Sequence, residues 1–451
     1  MTKNMTEGSP MKLILGFSIP MLFGMLFQQF YNLVDTMIVG KTLGVDALAG
    51  VGATSSINFM IIGFCMGVCG GFAIPVAQQF GAQKYEQLRR YVYNGYLLSV
   101  VFSIVLTALS VFFCRNILTV MRTPESIYEY AYAYIVIIFA GIPTVFLYNI
   151  VSSIIRALGD SKTPVIFLVF SAVLNIILDF VLIQGLKIGV AGAAVATDIS
   201  QLVSGVACLI YMNKRYEVLK LSAKDRRAGK RYMINLCMNG IPMGLQYSIT
   251  AIGSVILQTA VNTLGATYVA AMTAGSKIFT FTCCPFDALG GTMATYAGQN
   301  VGAKKMDRVN TGILTSSIIG SVYSVVILGV MFLWSRQISL LFVDASETVI
   351  LDQARQMLLI NMVFYIPLTL VNVVRFTVQG MGFSKFAILA GVCEMIGRSV
   401  VAFFLVPYFG YTAVCFASPV AWILADLFLV PAYLYCAKTL RSLFEKNAQM
   451  M

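Results

Sequence analysis

Twelve apolar runs, each long enough to cross a bilayer, follow one another with only short polar breaks, and this pattern leaves few folds open. About 20 apolar residues span the hydrocarbon core. The runs lie near 12–39, 47–79, 88–114, 126–155, 163–185, 190–213, 232–262, 267–299, 309–334, 348–380, 384–409 and 412–437. In lipid a backbone must satisfy its own polar groups, so such runs form helices. The expected fold is an all-α polytopic membrane protein of twelve transmembrane helices. Composition agrees: 59% of the residues are hydrophobic and 11% charged, against roughly 25% charged in soluble domains. Several runs exceed what a straight span needs, so tilts or kinks are expected. The first run is too long for a signal peptide and lacks a small-residue cleavage site, so the first span itself is expected to direct insertion.

The net charge of +12 is read as the positive-inside bias of a multi-span protein rather than as a nucleic-acid surface. With the N-terminus in the cytoplasm, 22 of the 31 Lys and Arg fall on inside segments and six on outside ones. Both termini are therefore placed inside. The longest charged stretch, Lys214–Arg231, sits near the midpoint and reads as a cytoplasmic linker touching anionic head groups. It separates an N-lobe (1–213) from a C-lobe (232–451), each of six helices.

The two halves repeat. Ile19-Pro20-Met21 recurs as Ile241-Pro242-Met243, and Leu43-Gly44 as Leu264-Gly265. The pattern Q-x-x-G-A-x-K runs from Gln78 to Lys84 and again from Gln299 to Lys305. Asn149 with Gly159 is matched by Asn372 with Gly382. Four matches in order at a nearly constant offset indicate a duplication, and six helices per repeat make the halves parallel. Pro20 pairs with Pro242, and Pro143 nearly with Pro367; proline inside a helix kinks it, and Pro20 is the candidate hinge. Small-xxx-small pairs such as Gly63 with Gly67 and Gly240 with Gly244 read as close helix packing.

Six acids fall within the apolar portions of the spans: Asp35, Asp179, Asp198, Asp287, Glu394 and Asp426. A carboxylate at the centre of a spanning helix costs at least about 2.5 kcal/mol, so each one faces protein or water and is a functional candidate. On the assumed topology Asp35, Asp179 and Thr197 lie roughly 6–11 Å below the outer surface, and Asn175 roughly 15 Å below it on the face of Asp179. Two carboxylates, an amide and a hydroxyl at one level form a hard-oxygen site for a cation. Two close acids repel, and the pair can then hold a proton near neutral pH; the same oxygens also suit Na⁺. Glu394 and Arg398, spaced i,i+4, are expected to neutralise each other. Asp198 points about 100° away from Thr197 around its helix.

Other chemistries are poorly provided for. There is no histidine, and no H-E-x-x-H or G-x-S-x-G motif supports an enzyme. The ten cysteines lie mostly in apolar runs and read as packing residues, not as a disulfide framework or metal site. No cofactor or resident metal is expected beyond H⁺ or Na⁺ as coupling ion. Met and aromatic residues can line a pliable cavity that attracts organic cations. Gln28, Tyr31, Asn32, Tyr148 and Asn149 are the candidate cavity residues.

The stretches Gln28–Gly44, Arg156–Pro164 and Leu174–Ile183, with the two Q-x-x-G-A-x-K loops, resemble the multidrug and toxic compound extrusion family, in particular its bacterial DNA-damage-inducible (DinF-like) branch. The resemblance covers essentially the whole chain. It implies a secondary active efflux antiporter of a bacterial inner membrane, monomeric, that exchanges drug-like organic cations for H⁺ or Na⁺ by alternating access. The family's N-lobe cation site matches Asp35, Asn175, Asp179 and Thr197. Some relatives carry acids in the seventh and tenth spans; here the apolar portions of 232–262 and 348–380 hold none, and Asp352 lies at the outer edge. A lipid-linked oligosaccharide flippase of the same superfamily is the alternative; it calls for a cationic cavity, and only Lys277, Arg375 and Arg398 lie within spans.

Overall fold

The computed structural model describes residues 2–449, and helices dominate them. The first half comprises α1 (Pro10–Leu43), α2 (Ser55–Gly81), α3 (Tyr85–Phe112), α4a (Glu125–Ala140), α4b (Ile142–Ala157), α5 (Lys162–Asp179) and α6 (Val190–Arg215). The second comprises α7 (Lys230–Asn262), α8 (Ala266–Gly302), α9 (Met306–Ser339), α10a (Thr348–Val363), α10b (Tyr365–Gly380), α11 (Ser384–Val400) and α12 (Tyr411–Gln449). Among the described residues nine helices are long and apolar enough to span alone, and two bent pairs raise the number to eleven. The twelfth is α8, whose 37 residues suffice in length but include Lys277 and Asp287.

The bent pairs are α4a–α4b, at 48°, and α10a–α10b, at 54°. Pro143 stands in the first turn of α4b and Pro367 in that of α10b. A proline there donates no backbone hydrogen bond to the preceding turn, and the span restarts as a new helix. Pro20 and Pro242, by contrast, lie within unbroken helices.

Backbone geometry carries the duplication more sharply than sequence does. Gly44 and Gly265, Gln83 and Lys304, and Gly189 and Gly410 adopt left-handed φ at a spacing of 221 residues; Gly159 and Gly382 do so at 223. A π-helical turn follows α5 at Phe180–Gly185, and another follows α11 at Val401–Leu405, again starting 221 residues later.

The compact units differ from the sequence halves. One contains Phe23–Ser248 with the first residues of the chain; the other contains Met5–Leu22 and the chain from Ile249 onward. Small residues are the reason in the first unit. A Cβ on Gly71 would lie 2.5 Å from Cα of Gly240, and one on Gly67 2.7 Å from Cα of Gly244. The backbones of α2 and of the first part of α7 therefore approach as only glycine permits. In the second unit the Q-x-x-G-A-x-K loop grips the chain ahead of α1. Gln299 Oε1 accepts from Met5 N at 2.8 Å, and Lys305 Nζ donates to Thr6 O at 3.0 Å. Arg308 donates to the carbonyls of Met5 and Gly8.

The basic linker is held to the first unit rather than free in solvent. Arg89 donates to Asp225 at 2.8 Å, Ser222 donates to the same carboxylate, and Asn94 bonds Arg227 O and Gly229 N. Burial opposes ionisation of Asp225, but the Ser222 and Arg89 hydrogen bonds outweigh it and hold the carboxyl below its usual range. Asp160, at the start of α5, behaves likewise: burial opposes its charge, and hydrogen bonds from Tyr216 and Thr163 hold it low. All ten cysteines are unpaired.

Candidate functional site

The first unit brings Asp35, Asn175, Asp179 and Thr197 together from three helices. Tyr31 and Asp35 are four residues apart on α1 and share a face, as do Asn175 and Asp179 on α5. Thr197 comes from α6. Asn175 and Asp179 are fully buried; Tyr31, Asp35 and Thr197 are half-buried. The π turn begins immediately after Asp179, so the carboxylate sits where the helix widens, a geometry common at functional positions.

The amide of Asn175 has one orientation that satisfies all its neighbours. In it Nδ2 donates to Asp179 Oδ2 at 3.1 Å and to Tyr31 Oη at 3.2 Å, while Oδ1 accepts from Thr197 N at 3.0 Å. Thr197 Oγ1 lies 3.2 Å from the same amide. The carboxyl groups of Asp35 and Asp179 are within hydrogen-bonding reach of each other. Both are acceptors when ionised, and Oδ1 of each is buried with no donor among the described residues. Such a contact is stable only with a proton or another cation between the oxygens. The oxygens of the two acids, Asn175, Thr197 and Tyr31 are all hard, which fits H⁺ or an alkali cation and not a soft metal. No group of three or more His, Cys, Asp or Glu suited to a metal occurs among the described residues.

Of the candidate cavity residues only Tyr31 joins this site. Tyr148 Oη donates to Pro164 O at 2.9 Å, and Asn149 Nδ2 donates to Val145 O at 2.8 Å, so both are engaged locally. Gln28 is half-buried and Asn32 exposed on α1. Sequence reasoning missed Tyr134 of α4a, which is buried and faces Asp35, Tyr31, Asp198 and Asp179. It also left Asp198 unassigned. The carboxylate of Asp198 seats against Gly141, where α4 breaks: a Cβ there would lie 1.9 Å from Oδ1.

The remaining span charges fall in the second unit. Glu394 does not rely on Arg398 alone, as its i,i+4 spacing suggested: it accepts a hydrogen bond from Arg375, with Arg398 at 3.7 Å. Lys277 lies over the ring of Phe342, 5.7 Å from its centroid. At the repeat-related positions 221 residues after Asp35 and Asp179 stand Ile256 and Val400, so the acid pair has no counterpart in the second half.

These features define a polytopic, all-helical membrane protein built of two repeated six-span halves, with a buried acid pair in the first. The MatE family model matches residues 20–181 and again 242–404, and the chain belongs to that family. It is 30% identical over 404 residues to the probable multidrug resistance protein YoeA of Bacillus subtilis (strain 168), covering 87% of this chain and 86% of that one. It is 24% identical to the multidrug export protein MepA of Staphylococcus aureus (strain MRSA252), with 92% of each covered. Among solved structures, a MATE protein in complex with MaL6 superposes with a TM-score of 0.91 at 23% identity, over 98% of this chain and all of that one. An outward-facing multidrug resistance MATE transporter matches equally well over 98% and 99% of the two chains, with a TM-score of 0.91 at 23% identity.

Proposed function

We propose that the chain is a multidrug efflux antiporter that exports organic, mostly cationic and amphipathic compounds from a bacterial cell in exchange for H⁺ or Na⁺. It works as a monomer with both termini cytoplasmic. The names of the relatives, multidrug resistance protein and multidrug export protein, support export of several drug-like compounds; the preference for amphipathic cations rests on the aromatic and Met content of the spans. The observation that carries the coupling is the approach of the Asp35 and Asp179 carboxyls within one buried site.

In this reading the pair takes an external cation, with Asn175 and Tyr31 positioning Asp179 and Thr197 completing the oxygen set. Direct contact between the two carboxyls favours the proton, since an alkali ion needs several oxygens spread around it. Losing a negative charge there removes attraction for a cationic substrate and shifts the conformational equilibrium by the difference in affinity of the two states. Pro20 is the hinge: the chain leaves one compact unit and enters the other between Leu22 and Phe23, two residues beyond it. Gln28 and Asn32 on the same helix are the polar contacts assigned to substrate. The flippase alternative is disfavoured, because the charges of Arg375 and Arg398 are offset by the Glu394 carboxylate between them.

The test is uptake of a fluorescent organic cation into proteoliposomes with pH and Na⁺ gradients imposed separately. Acceleration by at least one gradient is expected. Rates indifferent to both would refute ion coupling.

A further inference from the structure

Five charged side chains from four helices converge within the second unit. Arg375 of α10b donates to Glu394 of α11, whose other oxygen lies 3.7 Å from Arg398 of the same helix. Asp426 of α12 faces Arg375 and Glu394, and Asp287 of α8 faces Arg375. The central three are buried, with 6%, 4% and 9% exposure for Arg375, Glu394 and Arg398. Asp426 is half-buried and Asp287 exposed. Three polar atoms of the group are buried with no hydrogen-bond partner among the described residues: Arg375 Nε, Arg398 Nη1 and Asp426 Oδ1. The repeat-related positions of the first half hold Ser152, Val173, Ile177, Gly205 and Met66. The cluster therefore belongs to the second half alone, as the acid pair belongs to the first.

Charge bookkeeping identifies what is missing. By formal charge Arg375 and Arg398 each bring one positive charge, and Glu394, paired with both, brings one negative charge. With both aspartates ionised the cluster carries one surplus negative charge; with one proton bound it is neutral. A buried surplus charge is costly unless it is paired and hydrogen-bonded. Asp287 has Arg375 as its charged neighbour, and an opposite charge favours the ionised form. Asp426 is placed differently: one of its oxygens is buried with no donor, and the negative Glu394 acts on it as well as Arg375. The charged groups acting on Asp426 are Arg375 from α10b and Glu394 from α11; α10a and the π turn Val401–Leu405 contribute none. A metal cation is unsuited to a site walled by two guanidinium groups.

We propose that Asp426 is a second proton-binding site, built into the second half of the chain, with Arg375, Glu394 and Arg398 as its positioning residues. Loading forms one O–H bond on Asp426 at the expense of a hydronium ion and brings the cluster to neutrality. Its part in transport rests on the coupled-efflux reading; its proton binding does not.

The experiment labels the purified full-length protein in proteoliposomes with dicyclohexylcarbodiimide, which reacts with protonated carboxyls in apolar surroundings, between pH 5 and 9. Modified residues are mapped by mass spectrometry. Asp426 is expected to be modified, less as pH rises, both in the natural protein and in the Asp35→Asn/Asp179→Asn double variant. Glu394→Gln removes the surplus negative charge and is expected to move the labelling midpoint to lower pH by about one unit; Arg375→Gln moves it the other way by a similar amount. Absence of label on Asp426 across the range, or a midpoint that neither variant moves, overturns the proposal. Labelled Asp426 in a protein whose transport ignores both gradients would refute the coupling reading and leave the proton site standing.

Discussion

Asn175 and Asp179, both fully buried, stand one helical turn apart on α5, and the amide of the first donates to Oδ2 of the second at 3.1 Å. The same amide reaches α1 through Tyr31 and α6 through Thr197. One uncharged side chain thus fixes the acid against the two helices that complete the site.

Replacing Asn175 by Ala leaves Asp179 and Tyr31 each short of a buried partner. Removing a hydrogen bond to a charged group costs about 1.5–3 kcal/mol, enough for a roughly tenfold loss of gradient-driven transport. The thermal midpoint of the purified protein should fall as well. A variant with the transport rate and midpoint of the natural protein would take the amide out of the site.

Gly141 is expected to tolerate no side chain. An Ala there would place Cβ 1.9–2.3 Å from the Asp198 carboxylate, and overpacking of that kind costs about 1–3 kcal/mol. Gly141→Ala should lower the thermal midpoint, and Asp198→Ala added to it should recover most of the loss. No recovery in the double variant would mean that the clash lies elsewhere.

Attachment of the linker should not respond to pH in the working range. Asp225 and Asp160 are held below the ordinary carboxylate value of 3.8. A group with a lowered folded value contributes stability that is fully present above its ordinary value and is lost only as pH falls through the folded one. Tryptic cleavage at Arg226 and Arg227 should therefore be equally slow when assayed after exposure to pH 5 or pH 8, and faster in Asp225→Ala. A marked difference between the two pH values would show that another group governs the attachment.

The spans, the duplication and the convergence of Asp35, Asn175, Asp179 and Thr197 were legible because each has a strong physical signature. Apolar length fixes the helices, and an acid within such a run is too costly to be incidental. Tyr134 was not legible: among the aromatic residues of α4a nothing in the sequence separates a ring facing two aspartates from one filling space. The partnership of Arg375 with Glu394 was hidden because spacing reveals neighbours on one helix only, and it pointed to Arg398. The π turn after Asp179 leaves no composition signal. The division of the chain within α1 and α7 escaped notice because the charged linker marks the sequence midpoint, whereas packing follows the glycines that let α2 and α7 touch.

Ion coupling rests on the acid pair. The direct measurement is accumulation of a fluorescent organic cation in proteoliposomes under whichever imposed gradient drives the natural protein, compared with Asp35→Asn and Asp179→Asn at equal reconstitution. Each single variant should lose the gradient-driven component while still folding to a monodisperse protein. Accumulation by both variants at the natural rate would contradict the assignment of Asp35 and Asp179 as the coupling site.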